Sequence, residues 1–153
     1  MRLHAFPLLA GAWLALAACE PMAGPAGGWS GVPPLSAEDY ILMDVSTVGL
    51  SGAEQLAEAA AAVKQRFTNG EQVEGNYSET VQSFENDGRG AVVLTQEGIP
   101  DDSVRSVQHL VEFDLRPDAQ VPGRVLAVAT GYGTRLRCYR APDPDAWTNE
   151  FCP

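Results

Sequence analysis

Residues 51–67 read SGAEQLAEAAAAVKQRF, and the way this stretch folds decides what the rest of the chain must do. Ser51 and Glu54 have the spacing of a capping box, in which a hydroxyl and a carboxylate satisfy two N–H groups orphaned at a helix start. Leu56, Ala60, Val63 and Phe67 then recur at helical spacing and predict one apolar stripe. Lys64 and Arg66 suit the negative end of the helix dipole, and Gly70 follows as a stop. The run Ala59–Ala62 has almost no side-chain bulk. It lets a helix lie close against a sheet; a cofactor groove is the lesser alternative, and no cofactor is expected.

On either side of this helix the pattern turns to β. Before it, Ile41, Met43 and Val45 alternate with Leu42, Asp44 and Ser46, which predicts a strand over 40–50. After it, Tyr77–Glu85 and Gly90–Gln96 flank Asn86-Asp87-Gly88-Arg89, whose Asp-Gly pair is a strong hairpin signal. Residues 77–85 fit a strand or a helix, because Tyr77, Val81 and Phe84 also have helical spacing. In 104–115, Val107, His109, Val111, Phe113 and Leu115 share one face, while Ser106, Gln108, Glu112 and Asp114 share the other. A turn over 116–123 leads to a last strand, 124–139. The order predicts an α+β fold: one amphipathic helix packed on an antiparallel sheet of four to five strands. This layer is similar to that of cystatins in architecture only, since no cystatin motif is present.

The N-terminus is an address. Met1-Arg2-Leu3-His4 is a short basic head, and Ala5–Ala18 is uncharged. Fourteen helical residues span about 21 Å, short of the roughly 30 Å hydrocarbon core, so the stretch predicts a secretory signal rather than a membrane span. Its end, Leu16-Ala17-Ala18-Cys19, resembles the lipobox of bacterial lipoproteins. The resemblance covers residues 1–19. It implies that residues 1–18 are a cleaved signal peptide and that Cys19 is lipidated, the thiolate being the nucleophile the transfer needs. Palmitate-type chains on Cys19 would then hold the protein on the membrane, since two or more chains give stable anchoring. Glu20 rather than Asp after the cysteine favours the outer membrane. Residues 19–36, rich in glycine and proline, predict a tether, and 37–153 a single domain. Trp29 lies in that tether as a candidate contact for the lipid interface, the domain or a partner.

The chain has 153 residues, 20 Asp+Glu and 10 Lys+Arg, for a net charge of −10. That excludes nucleic acid, whose affinity comes from basic residues neutralising phosphates. The acids crowd into the first part: 14 of them, against three bases, lie between Glu20 and Asp102. Cys138 and Cys152 are an even pair in an exported chain and predict a disulfide closing a loop of about fifteen residues, worth about 3 kcal/mol. No cysteine is then left for a metal, and no metal site is expected. Asp101-Asp102 and Asp143-Pro144-Asp145 lack the spacing of a calcium loop and read as turns; Gly131-Tyr132-Gly133 reads as a bulge or turn rather than a phosphate loop. Arg135, Arg137 and Tyr139 alternate onto one strand face, a candidate partner-binding surface for an anionic group, with pairing to the protein's own carboxylates as the structural alternative. His109 is a candidate general base for an envelope hydrolase using nearby carboxylates. No nucleophile is marked near it, so a structural histidine and no catalytic residue are the expectation. Together these features predict a lipid-anchored, non-enzymatic envelope protein facing the periplasm, acting as a protein-binding or assembly domain, with a hydrolase or a purely structural lipoprotein as the alternatives.

Overall fold

The computed structural model describes residues 29–68 and 76–153. The signal peptide, Cys19, the first part of the tether and the Gly70 stop lie outside the described residues. The elements are β1 (Ile41–Met43), a short 3₁₀ turn (Val45–Val48), α1 (Leu56–Phe67), β2 (Ser78–Asn86), β3 (Arg89–Glu97), β4 (Val104–Pro117) and β5 (Val125–Cys138). The five strands form one antiparallel sheet in the order β1-β5-β4-β3-β2, with α1 packed across it. This is the expected α+β architecture.

The segment expected as strand or helix resolves as strand, β2, which begins at Ser78 with Tyr77 just before it. Asp87 and Gly88 both take positive φ (48° and 76°), the two-residue turn whose twist matches a hairpin, and Asn86 pairs with Arg89 across it. The first strand is shorter than the alternation over 40–50 suggested. The Asp44 carboxylate accepts from the Ser46 N–H at 2.8 Å and turns the chain into the 3₁₀ segment, which Gly49 closes at φ 75°. The helix also starts later than the Ser51–Glu54 spacing implied. Glu54 does accept from the Ser51 and Gly52 N–H groups (3.1 and 2.9 Å), but it closes a turn ahead of the helix. The carbonyls of Ala53 and Glu54 are drawn toward the last strand, by Arg124 Nη2 and the Ala127 N–H (both 2.7 Å), and cannot serve a helix. Gln55 is therefore the cap, with Glu58 reaching back to its N–H at 2.8 Å.

Leu56, Ala60 and Val63 of the expected stripe are buried, joined by Ala59, against Val92, Leu94, Val111, Phe113 and Tyr132, and Phe67 packs partly buried beside them. Gly90 lies beneath the first turn of α1: a Cβ there would stand 3.2 Å from Leu56 Cδ1. The opposite face of the sheet is where sequence reading falls short. Ser106, Gln108 and Glu112, set by alternation on the face opposite His109 and Val111, are buried. Trp29, Val32, Leu35 and Tyr40 cover that face, packing with Phe84, Ala91, Val93 and Leu110 into a second core. Trp29–Ser36 is thus a strap laid on the sheet, where a free tether was expected. Gly131 and Gly133 sit inside β5 and neither is a turn, but the register shifts by one residue beside Gly131, between its pairing with Glu112 and that of Ala129 with Phe113, as the bulge reading expected. The glycines' missing side chains make the bed for Leu35, whose Cδ atoms would stand 2.6 and 2.5 Å from a Cβ at the two positions.

A chain end follows the same face. Leu136 and Thr148 exchange backbone hydrogen bonds (2.9 and 2.8 Å), Asn149 Nδ2 donates to the Ala37 carbonyl at 2.8 Å, and Cys138 and Cys152 lie at bonding distance, 1.97 Å between sulfurs. The expected disulfide pair is in place and ties the last segment to the end of β5.

Two expectations follow for urea denaturation. Trp29→Ala should cost about 3 kcal/mol, as for a core aromatic, whereas a free tether would show no change. Gly133→Ala should cost about 1–3 kcal/mol, because its Cβ meets Tyr40 Cβ at 3.0 Å as well as Leu35, while Gly131→Ala displaces only the tip of Leu35 and should cost less.

Candidate functional site

The densest polar cluster lies at the C-terminal end of α1. Strands β2, β3, β4 and β5 bring Glu79, Gln96, His109 and Tyr132 to the helix-covered face, and Tyr77 joins them from just before β2. The His109 ring stacks on Phe67 (centroids 4.3 Å apart, planes within 10°). Gln96 Nε2 faces three oxygens: the Phe67 carbonyl at 3.0 Å, Tyr77 Oη at 2.9 Å and Glu79 Oε1 at 3.1 Å. Its amide oxygen must then face His109 Nε2, at 3.3 Å, so that nitrogen carries the proton. His109 Nδ1 is left to accept from Tyr132 Oη at 2.9 Å. Hydrogen bonds therefore run in one direction, from Tyr132 through His109 and Gln96 to Tyr77 and the Glu79 carboxylate, which also accepts from Thr68 at 2.9 Å.

Burial pushes the His109 imidazole from its ordinary 6.5 down to about 4, so the ring is neutral at pH 7. Burial raises Tyr132 to about 12 and, with the adjoining Glu79 carboxylate, does the same to Tyr77. Burial works against the Glu79 charge, but donors from Tyr77, Gln96 and Thr68 and the nearby Lys64 hold its carboxyl below the usual range. Both nitrogens of His109 are occupied and it has no free lone pair for a substrate proton. The arrangement locks the helix end to the sheet, and its chemistry is that of a satisfied polar core.

Arg135, Arg137 and Trp29, candidates for partner binding, are engaged within the fold. Arg135 is buried, lies 5.1 Å from the Tyr40 ring and 5.0 Å from Trp147, and donates to Gln108 Oε1 at 2.8 Å. Arg137 stacks over Trp147 at 4.2 Å and pairs with Glu97 at 3.2 Å. The two guanidinium groups act as clasps for Trp147, which suits flat, weakly hydrated cations over aromatic faces. Trp29 is only 8% exposed, with its ring 6.3 Å from Phe84, so it docks on its own domain. Tyr139, expected beside the arginines, lies past the end of β5 and is exposed.

Asp101 accepts from Ser103 N, Ser103 Oγ and Val104 N (2.7–2.9 Å), and Asp143 from the Asp145 N–H at 3.0 Å, so both acidic pairs form turns. Among the described residues no group of three or more His, Cys, Asp or Glu is placed to hold a metal ion. Gln96, Tyr77, Glu79 and Trp147 were not singled out by sequence. The hairpin register alone, once Asn86 is set opposite Arg89, puts Glu79 across from Gln96 and was the signal available.

The His109 imidazole sets a pH dependence. Its folded pKa lies below the unfolded value, so the neutral ring stabilises the fold above pH 6.5 and that contribution is lost as pH falls toward 4. The unfolding free energy of the native chain, from urea titrations, should drop over that window by about 3 kcal/mol more than that of a His109→Gln variant, from 1.36 kcal/mol per pKa unit; equal slopes would refute the assignment.

No protein-family model, curated protein or solved structure matches this chain, so its functional reading rests on its own residues.

Proposed function

We propose that this chain is a bacterial lipoprotein, anchored through lipid on Cys19 to the outer membrane and facing the periplasm, whose domain binds another envelope protein and carries out no catalysis. The observation that carries the reading is Leu16-Ala17-Ala18-Cys19 at the end of a short apolar stretch behind a basic head. The Cys138–Cys152 pair at bonding distance supports export to an oxidising compartment. The excess of acids in the first part of the chain keeps the domain off anionic lipid head groups, so it stands away from the bilayer and is open to a protein partner. Nucleic acid is excluded as a partner on the same charge argument.

The test is Cys19→Ser expressed beside the native chain. The native protein should incorporate radiolabelled palmitate and co-sediment with outer-membrane markers on a density gradient. The variant should remain at precursor size with no label. Normal cleavage and membrane fractionation of the variant would refute the anchor.

A further inference from the structure

We infer that the outer edge of β2 is the docking site for an extended, basic segment of the partner protein. The inference rests on the binding-module reading above and names its surface. Asn86 and Arg89 close a two-residue turn, so they and every second residue back along β2 form the hydrogen-bonded pairs with β3. Glu79, Val81, Ser83 and Glu85 therefore aim their N–H and C=O groups away from β3, and among the described residues no backbone group bonds to them. Natural sheets blunt such an edge with charged side chains, lysine above all, or with proline, a bulge or shortness, and of these β2 has only the carboxylates of Glu79 and Glu85. The other edge, β1, has three residues; β2 has nine in unbroken register, with no lysine, proline or glycine.

Charge selects the occupant. The four outward-bonding residues also point their side chains to the α1 face, as the Glu79–Gln96 contact shows. Beside Glu85 lies a groove of about 350 Å³ lined by Leu56, Ala57, Leu115 and Val125. A residue opposite Glu85 on an added strand would lay its side chain over that groove. Lysine or arginine fits both parts, with an apolar stem along the lining and a cationic head at the carboxylate. A second copy of this chain fits poorly. Antiparallel pairing that uses all four outward residues sets Glu79 opposite Glu85 twice, and opposed like charges destabilise a strand pair.

The test uses the full chain in detergent micelles and a capped peptide of alternating Lys and Val as long as β2, with a Glu–Val peptide as control. Amide hydrogen exchange at Glu79, Val81, Ser83 and Glu85 should slow by about tenfold with the Lys–Val peptide and stay unchanged with the control. Ser83→Pro removes one outward donor while leaving the β3 ladder whole, and should abolish the slowing. Glu85→Lys, which leaves the backbone untouched, should weaken it. No slowing, equal slowing by the acidic peptide, or slowing that rises with protein concentration and needs no peptide overturns the inference, the last by assigning the edge to a second copy. In cells, photo-crosslinkers at Gln82 and at Ala61 separate this claim from the one beneath it. A partner captured at Ala61 alone overturns the edge and leaves the binding-module reading standing; no partner at either position overturns both.

Discussion

Strands β3 and β4 are apolar on both sides: Val92, Leu94, Val111 and Phe113 point one way, and Ala91, Val93 and Leu110 the other. A sheet with such a middle must be kept dry on both faces. Among the described residues there is one α-helix, of twelve residues, which is enough for one face only. The second face is closed by irregular backbone, Trp29–Tyr40 from one end and the segment around Trp147 from the other. Irregular backbone carries polar groups that need partners when buried. The buried side of β4 supplies them. Glu112 accepts from the Leu35 N–H at 3.0 Å and from Arg89 at 2.9 Å, and Gln108 takes Arg135. Glu112 thus fastens a loop without secondary structure to the sheet, while Gln108 holds the arginine that lies against Tyr40 and Trp147.

This also explains which parts of the fold could be read in advance. The α1 stripe, the Asp87-Gly88 turn and the cysteine pair are local signals, each complete within about fifteen residues, and each took its expected place. The alternation in β4 is local too; it divides the two faces correctly but does not say that both are buried. Ser, Gln and Glu on alternate positions describe a half-exposed strand unless their partners are known, and those partners, Leu35, Arg89 and Arg135, lie far away in sequence. Leu110, an apolar residue on the polar side, was the one break in the pattern. The strap was hidden for a second reason: Pro33, Pro34 and the glycines around Trp29 are the composition of a linker, and a docked loop has the same composition. The helix start was displaced by β5, whose backbone and Arg124 compete for two carbonyls that the capping spacing had assigned to the helix.

The polar cluster around His109 shows what such a core demands. Each member is bought with a desolvation penalty that only a complete set of partners offsets. Tyr132, His109, Gln96 and Tyr77 meet that condition as a relay of donors ending at one charged carboxylate, itself beside Lys64. The end of α1 is therefore held by directional bonds where its apolar stripe runs out, and Phe67 serves both, as a carbonyl acceptor and as the ring beneath the imidazole. The histidine was readable as structural because no serine or cysteine around it carries the local sequence mark of a nucleophile. Its partners were not, since they come from three other strands and the approach to one of them.

The pairing of β1 with β5 has a consequence for how the molecule forms. Ile41 lies opposite Thr134, about ninety residues on, and Ala37 is bonded to Asn149. Contacts at such separation carry a large loop-closure entropy and come late on a folding path. The hairpins β2–β3 and β4–β5 can assemble as soon as their residues are free, but the second face cannot close until the C-terminal residues have arrived. A chain emerging N-terminus first is therefore obliged to keep one side of its sheet wet until residues 134–149 have emerged, so closure of that face is timed by their arrival.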